Sequence, residues 1–189
     1  MRDAAALIAA LSIMQDPVSS RLAKRSPLPR GMTFLLEVAA GEDDALEHAR
    51  KLTGQSDEAL RGATGFFVEQ VLLARSASHY RVLGLARDAD GRDLRRHMAL
   101  LMKWVHPDTA SHNAADKTID RSVFATRINE AWQTLKSEER RGAYDAALAV
   151  EGATRVRRDA GRPVKHEQQT ASSAGGLLHR ILGRLRGSP

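Results

Sequence analysis

Lys103, Trp104, Val105, His106, Pro107 and Asp108 set an imidazole and a carboxylate together on a stiff bend. Pro107 fixes its own φ and bars His106 from the α region, so a helix reaching Val105 must stop there. Such an exposed, pre-organised pair suits docking to a partner. General acid–base catalysis would need a second group and a water-excluding pocket. Residues 32–73 show no acid/base pair, nucleotide loop or metal spacing either. His48, His79, His97, His112, His166 and His179 lack the two- or three-ligand spacing of zinc sites and are expected to be solvated or peripheral. No catalytic residue, metal or cofactor is therefore expected.

The flanks must position this pair. Upstream, Tyr80 to Leu85 reads as a short apolar helical turn, followed by a polar stretch from Ala86 to Gly91. Asp90 is placed to cap the next helix, with Asp93 at its third position as a variant capping box. Leu94, Met98, Leu101 and Val105 then recur at helical spacing on one face, and Arg95, Arg96 and Lys103 fall off it. Beyond the polar loop, Phe124, Ile128, Ala131 and Leu135 repeat that spacing, with Trp132 broadening the stripe. Two such helices flanking a loop predict an antiparallel hairpin with a shared core. Ser137 is expected to cap a short last helix, whose Glu138 and Glu139 suit the positive end of its dipole.

This pattern resembles the J domain of the DnaJ co-chaperone family over about residues 79–148. The matching residues are Tyr80, Leu83-Gly84, Ala89, Leu94, His106-Pro107-Asp108, Ile128-Asn129-Glu130-Ala131-Trp132, Leu135 and Arg140-Arg141-Gly142-Ala143-Tyr144-Asp145. The resemblance implies a four-helix fold with Tyr80, Leu83, Leu94, Met98, Leu101, Val105, Phe124, Ile128, Ala131, Trp132, Leu135 and Tyr144 in its core. It also implies that the loop and the second helix contact a DnaK-type chaperone. Asp108 would pair with a basic group near that partner's interdomain linker, His106 and Pro107 would hold the carboxylate, and Arg95, Arg96 and Lys103 would supply a positive face. Two departures stand out. Where the family keeps a basic pair in mid-helix this chain has Ala99 and Leu100, and where it places an aromatic before the isoleucine of the third helix this chain has Ala125, offering Phe124 instead.

The 189 residues suit one domain or two small ones, and 42% hydrophobic content supports a packed core. Without cysteine there are no disulfides, no thiolate metal sites and no Cys-rich zinc region of the kind some DnaJ proteins carry. The net charge of +6 is uneven. Residues 1–78 hold nine basic and ten acidic side chains, residues 79–148 twelve and ten, and residues 149–189 eight and three. No apolar run approaches the roughly 20 residues that span a bilayer, and a cytoplasmic protein is expected.

Residues 4–14 predict a short helix, packed or loosely docked; Asp3 and the lack of a small-residue cleavage site argue against a signal peptide. Pro17, Pro27, Pro29 and Gly31 make residues 16–31 read as a linker, so that residues 1–31 form a helix and linker. Residues 32–75 read as a module of three helices: one through Leu35, Leu36, Val38 and Ala39, ended by Gly41; one with Glu42, Asp43 and Asp44 in its first turn, Arg50 and Lys51 in its last and Gly54 after it; and one capped by Ser56 with Leu60, Ala63, Phe67 and Val71 buried. Gly62 and Gly65 would be tolerated in the third where another helix packs closely. A J domain over 76–150 follows. The remainder, 151–189, reads as a basic flexible tail, in which Leu177, Leu178, Ile181, Leu182 and Leu185 outline a possible amphipathic helix over 177–186.

The expected protein is all-α: a regulator, not an enzyme, that stimulates ATP hydrolysis by a DnaK-type chaperone and serves clients the sequence does not name. An alternative is a basic-tail adaptor with a degenerate J-like domain that binds nucleic acid or an anionic membrane. Arg155, Arg157, Arg158, Arg162 and Lys165 would give salt-sensitive phosphate contacts, but with no aromatic interleaved to stack on bases the nucleic-acid reading ranks lower. The 177–186 helix would bind a membrane, a partner or its own chain.

Overall fold

The computed structural model describes residues 3–106 and 121–160. Among these the regular elements are all helical: α1 (Ala5–Gln15), α2 (Pro17–Ala23), α3 (Met32–Ala39), α4 (Asp43–Thr53), α5 (Asp57–Phe67), a π-helical turn (Val68–Leu72), α6 (His79–Val82), α7 (Gly91–Val105), α8 (Arg121–Leu135) and α9 (Glu138–Ala160). By its contacts the chain divides into residues 1–147 and 148–189. The expected amphipathic segment 177–186 and most of the basic tail lie outside the described residues.

In the first unit α3 is the central element. Met32, Phe34, Leu35, Leu36, Val38 and Ala39 are all buried, as befits a largely apolar helix enclosed by its neighbours, with Thr33 and Glu37 as its polar members. It packs against α1, α4 and α5, and also against α7. Leu7 of α1, Phe34 and Val38 of α3, Ala45, Leu46 and Ala49 of α4 and Leu60 of α5 form one apolar cluster. Burying a Leu or Phe of this kind contributes about 1.5–3 kcal/mol. The helix ends follow local chemistry: Ser56 caps α5 by accepting from Ala59 N–H (3.2 Å), and Gly54 closes α4 at φ 69°. Gly31 opens α3 at φ 81°, and a Cβ there would lie 1.9 Å from the Asp3 carbonyl oxygen.

Three stretches differ from the sequence expectation. Pro17–Ala23 is helical within the segment read as a linker, because the Asp16 carboxylate accepts from Val18 N–H (2.9 Å) and Ser19 N–H (3.2 Å). An N-cap aspartate followed by proline starts a helix, since proline's missing N–H costs nothing in the first turn. A Cβ added at Gly62 would meet no heavy atom within 4 Å, so close helix packing is not what this glycine serves. Finally, the helix beginning at Glu138 is not short: it runs 23 residues, ten of them in the stretch expected to be flexible. In the second unit residues 149–154 are exposed, and Thr154 Oγ1 donates to the Val150 carbonyl (2.9 Å).

Candidate interaction site

Asp90 builds the start of α7 as the sequence indicates, accepting from Arg92 N–H and Asp93 N–H (2.8 Å each). Leu94, Leu101, Trp104 and Val105 are buried, α7 packs against α8, and Ile128, Ala131 and Leu135 of α8 are buried as well. At the far end His106 takes φ −62°, ψ 137°, the extended conformation that a following proline demands. His106 is exposed, while Pro107 and Asp108 lie outside the described residues. The two ends of that segment are tied together. Arg121 Nη1 donates to the Trp104 carbonyl (3.3 Å), its guanidinium lies 5.6 Å from the Trp104 ring centre, and Phe124 packs 6.1 Å from the same ring. The end of α7, where His106 lies, is therefore braced.

The run Arg140 to Asp145 has a structural role. Tyr144 Oη accepts from His79 N–H (2.9 Å), and its ring stacks on the His79 imidazole at 4.5 Å. Tyr80 Oη donates to Asp145 (3.0 Å) and accepts from Arg141 Nε (2.9 Å). Arg141 also donates to the carbonyls of Arg87 (2.6 Å) and Ala89 (2.9 Å). These bonds lock the first turns of α9 to α6 and to the loop that leads into α7.

The N-terminal helices reach the same site. His97 is buried on the α7 face toward α3: its Nδ1–H donates to the Leu83 carbonyl (2.8 Å), which leaves Nε2 to accept from the Thr33 hydroxyl (2.8 Å). Burial is the main reason its pKa lies below the ordinary 6.5, which favours the neutral ring. Arg96 pairs with the buried carboxylate of Glu37, and Lys103 Nζ lies 3.0 Å from Glu42. Two further arginines tie the helices together. Arg81 donates to the carbonyls of Val71 (3.2 Å), Ser26 (2.9 Å) and Ala23, and Arg127 to those of Leu73 and Ala74 (2.7 Å for the latter). Carbonyls at helix ends lack intrahelical donors, and cations are favoured there.

Residues 78–145 match the family model of the DnaJ domain. This segment is a J domain. It is similar to the chaperone protein DnaJ of Rickettsia prowazekii (strain Madrid E), 37% identical over 70 residues that make up 37% of this chain and 17% of the relative. The chaperone protein DnaJ of Orientia tsutsugamushi (strain Boryong) is 39% identical over 67 residues, 35% of this chain and 16% of the relative. The chain thus spans less than a fifth of the length of these relatives. No solved structure matches it.

Of the residues expected in the J-domain core, Tyr80, Leu83, Leu94, Leu101, Val105, Ile128, Ala131 and Leu135 are buried. Met98, Phe124, Trp132 and Tyr144 are half-buried. The cations Arg95, Arg96 and Lys103 are all exposed on α7, yet only Arg95 lacks an ionic partner among the described residues. His97 corrects the expectation that the lone histidines are solvated or peripheral: it is 3% exposed. Its place was readable, three residues after Leu94 and four before Leu101, on the apolar stripe. Leu100 is buried and Ala99 exposed, so the two departures of mid-α7 have different surroundings. The sequence did not signal Arg81, Arg127 or Glu37, because their partners are distant in the chain. Among the described residues no group of three His, Asp or Glu side chains is placed to hold a metal ion, and no helix is long and apolar enough to cross a membrane.

Proposed function

We propose that this chain is a cytoplasmic co-chaperone whose J domain docks on a DnaK-type (heat-shock protein 70) chaperone and stimulates its ATP hydrolysis, promoting client capture. The observation that carries this reading is a J domain over residues 78–145 with His106-Pro107-Asp108 intact where α7 ends. The nucleotide is hydrolysed by the partner; this chain regulates. Asp108 supplies the carboxylate that pairs with a basic group on the chaperone, while His106 and Pro107 fix its direction. Cations on α7 speed and orient the encounter more than they tighten the final complex. Among Arg95, Arg96 and Lys103, Arg95 stands open and the others already pair with acids of the N-terminal helices.

Single-turnover ATP hydrolysis by a DnaK-type chaperone tests the proposal. The full chain accelerates the reaction, and His106→Gln returns it to the unstimulated rate with helical circular dichroism and melting nearly unchanged, because His106 is exposed. Equal stimulation by the variant would sink this mechanism. A collapse in stability would instead make His106 a structural residue.

A further inference from the structure

The side chains of α7 fall into three stripes. One, with Leu94, Leu101 and Val105, faces the J-domain core. A second, Arg96, Leu100 and Lys103, follows helical spacing of four and three and borders the N-terminal helices, with Leu100 buried and the two exposed cations paired to them. Arg96 pairs with Glu37 of α3, Lys103 with Glu42 at the corner between α3 and α4, and Leu100 is buried between them. Leu100 and Arg96 share a cleft of about 230 Å³ with Glu37, Glu42, Asp44 and Ala45, and His97 beside them is bonded to Thr33. The third stripe, Arg92, Arg95, Ala99 and Met102, leads to His106; of these only Met102 is as much as half-buried.

We propose that Glu37 and Glu42 restrict the chaperone-docking surface of α7 to this third stripe, by holding Arg96 and Lys103 against the N-terminal helices. The inference rests on the co-chaperone reading and specifies which cations serve it. A cation already paired with a carboxylate presents little net charge to an approaching acidic surface, and long-range steering depends on that net charge. Arg92 and Arg95 form no close ion pair among the described residues and feel only the exposed capping carboxylate of Asp90, so they keep more of their field than Arg96 and Lys103 do. The N-terminal helices therefore act as affinity determinants for a contact they flank.

The test measures binding of the full chain to a DnaK-type chaperone at low and physiological salt. Glu42 and Lys103 are each about half exposed (44% and 49%), so substitutions there keep the fold, which melting checks. Arg95→Ala weakens binding roughly fivefold, the scale of one exposed charge pair, whereas Lys103→Ala changes it by less than about twofold. Glu42→Gln strengthens binding up to about fivefold at low salt and steepens the salt dependence, and adding Lys103→Ala to it removes the gain. Glu37→Gln acts in the same direction through Arg96; should it unfold, the Glu42 and Lys103 pair carries the test alone. Loss of affinity in Lys103→Ala equal to that in Arg95→Ala would overturn the restriction and leave the co-chaperone reading standing. Binding by none of these chains, with no stimulation of ATP hydrolysis, would overturn both.

Discussion

His97 has its tautomer set by one neighbour: the Leu83 carbonyl can only accept, so Nδ1 keeps a proton, and in the neutral ring Nε2 then accepts from the Thr33 hydroxyl. Burial holds its pKa below 6.5, and burial does the same, to a residue less enclosed, at His79. For both, the unfolded chain binds more protons than the folded one once the pH falls below about 6.5, so folding stability drops with acidification. The loss continues until the pH passes the lowered folded-state values, where it levels off. Chemical denaturation between pH 7.5 and 5 should show this decline, and His97→Gln should flatten part of it while leaving the His79 share. A pH profile unaltered by His97→Gln would mean that the imidazole titrates alike in both states.

At the scale of elements, Gly62 offers the clearest test of local propensity. It sits inside α5 with open space where a Cβ would go, so Gly62→Ala removes backbone freedom from the unfolded chain without creating a clash. It should stabilise the protein by about 0.5–1 kcal/mol in urea denaturation; destabilisation would mean that a neighbour closes on this position in solution. The π-helical turn that follows α5 has a complementary use. Leu73 N–H bonds to Val68 O (2.9 Å), five residues back, and the chain then delivers the Val71, Leu73 and Ala74 carbonyls to Arg81 and Arg127. One element end is thereby satisfied by side chains of α6 and α8.

For the whole molecule, the question is how far the J domain depends on the helices before it. Leu83, Leu101, Ile128 and Leu135 are buried and all lie within residues 78–145, and on that basis we propose that a fragment of residues 76–150 folds alone, even though α3 packs on α7. That fragment loses the cover on Leu100 and His97, and the partners of Arg81, Arg96 and Arg127. It should keep helical circular dichroism yet melt at least about 5 °C below the full chain, the shift that about 1 kcal/mol produces in a domain of this size. An equal melting temperature would show that the N-terminal contacts add nothing, and a broad, non-cooperative transition would show that the two regions share one core.

The sequence by itself determined what depends on near neighbours. Asp90 and Ser56 as caps, the stop at His106, the apolar stripes of α7 and α8 and the J-domain pattern were all legible, because capping, proline geometry and helical periodicity act over four or fewer residues. Asp16-Pro17 belonged to the same class and was missed because proline reads more readily as a loop than as a first helical residue. Tertiary structure alone decided that Glu37 reaches Arg96, that Thr33 reaches His97, and that Arg81 and Arg127 bind carbonyls more than 50 positions away, apart from Arg81's bond to Val71. A charged side chain carries no local mark of its partner. Which acid meets which base is fixed only when packing of α3 against α7 brings them together, and the cost of leaving Glu37 buried without its cation makes that meeting specific.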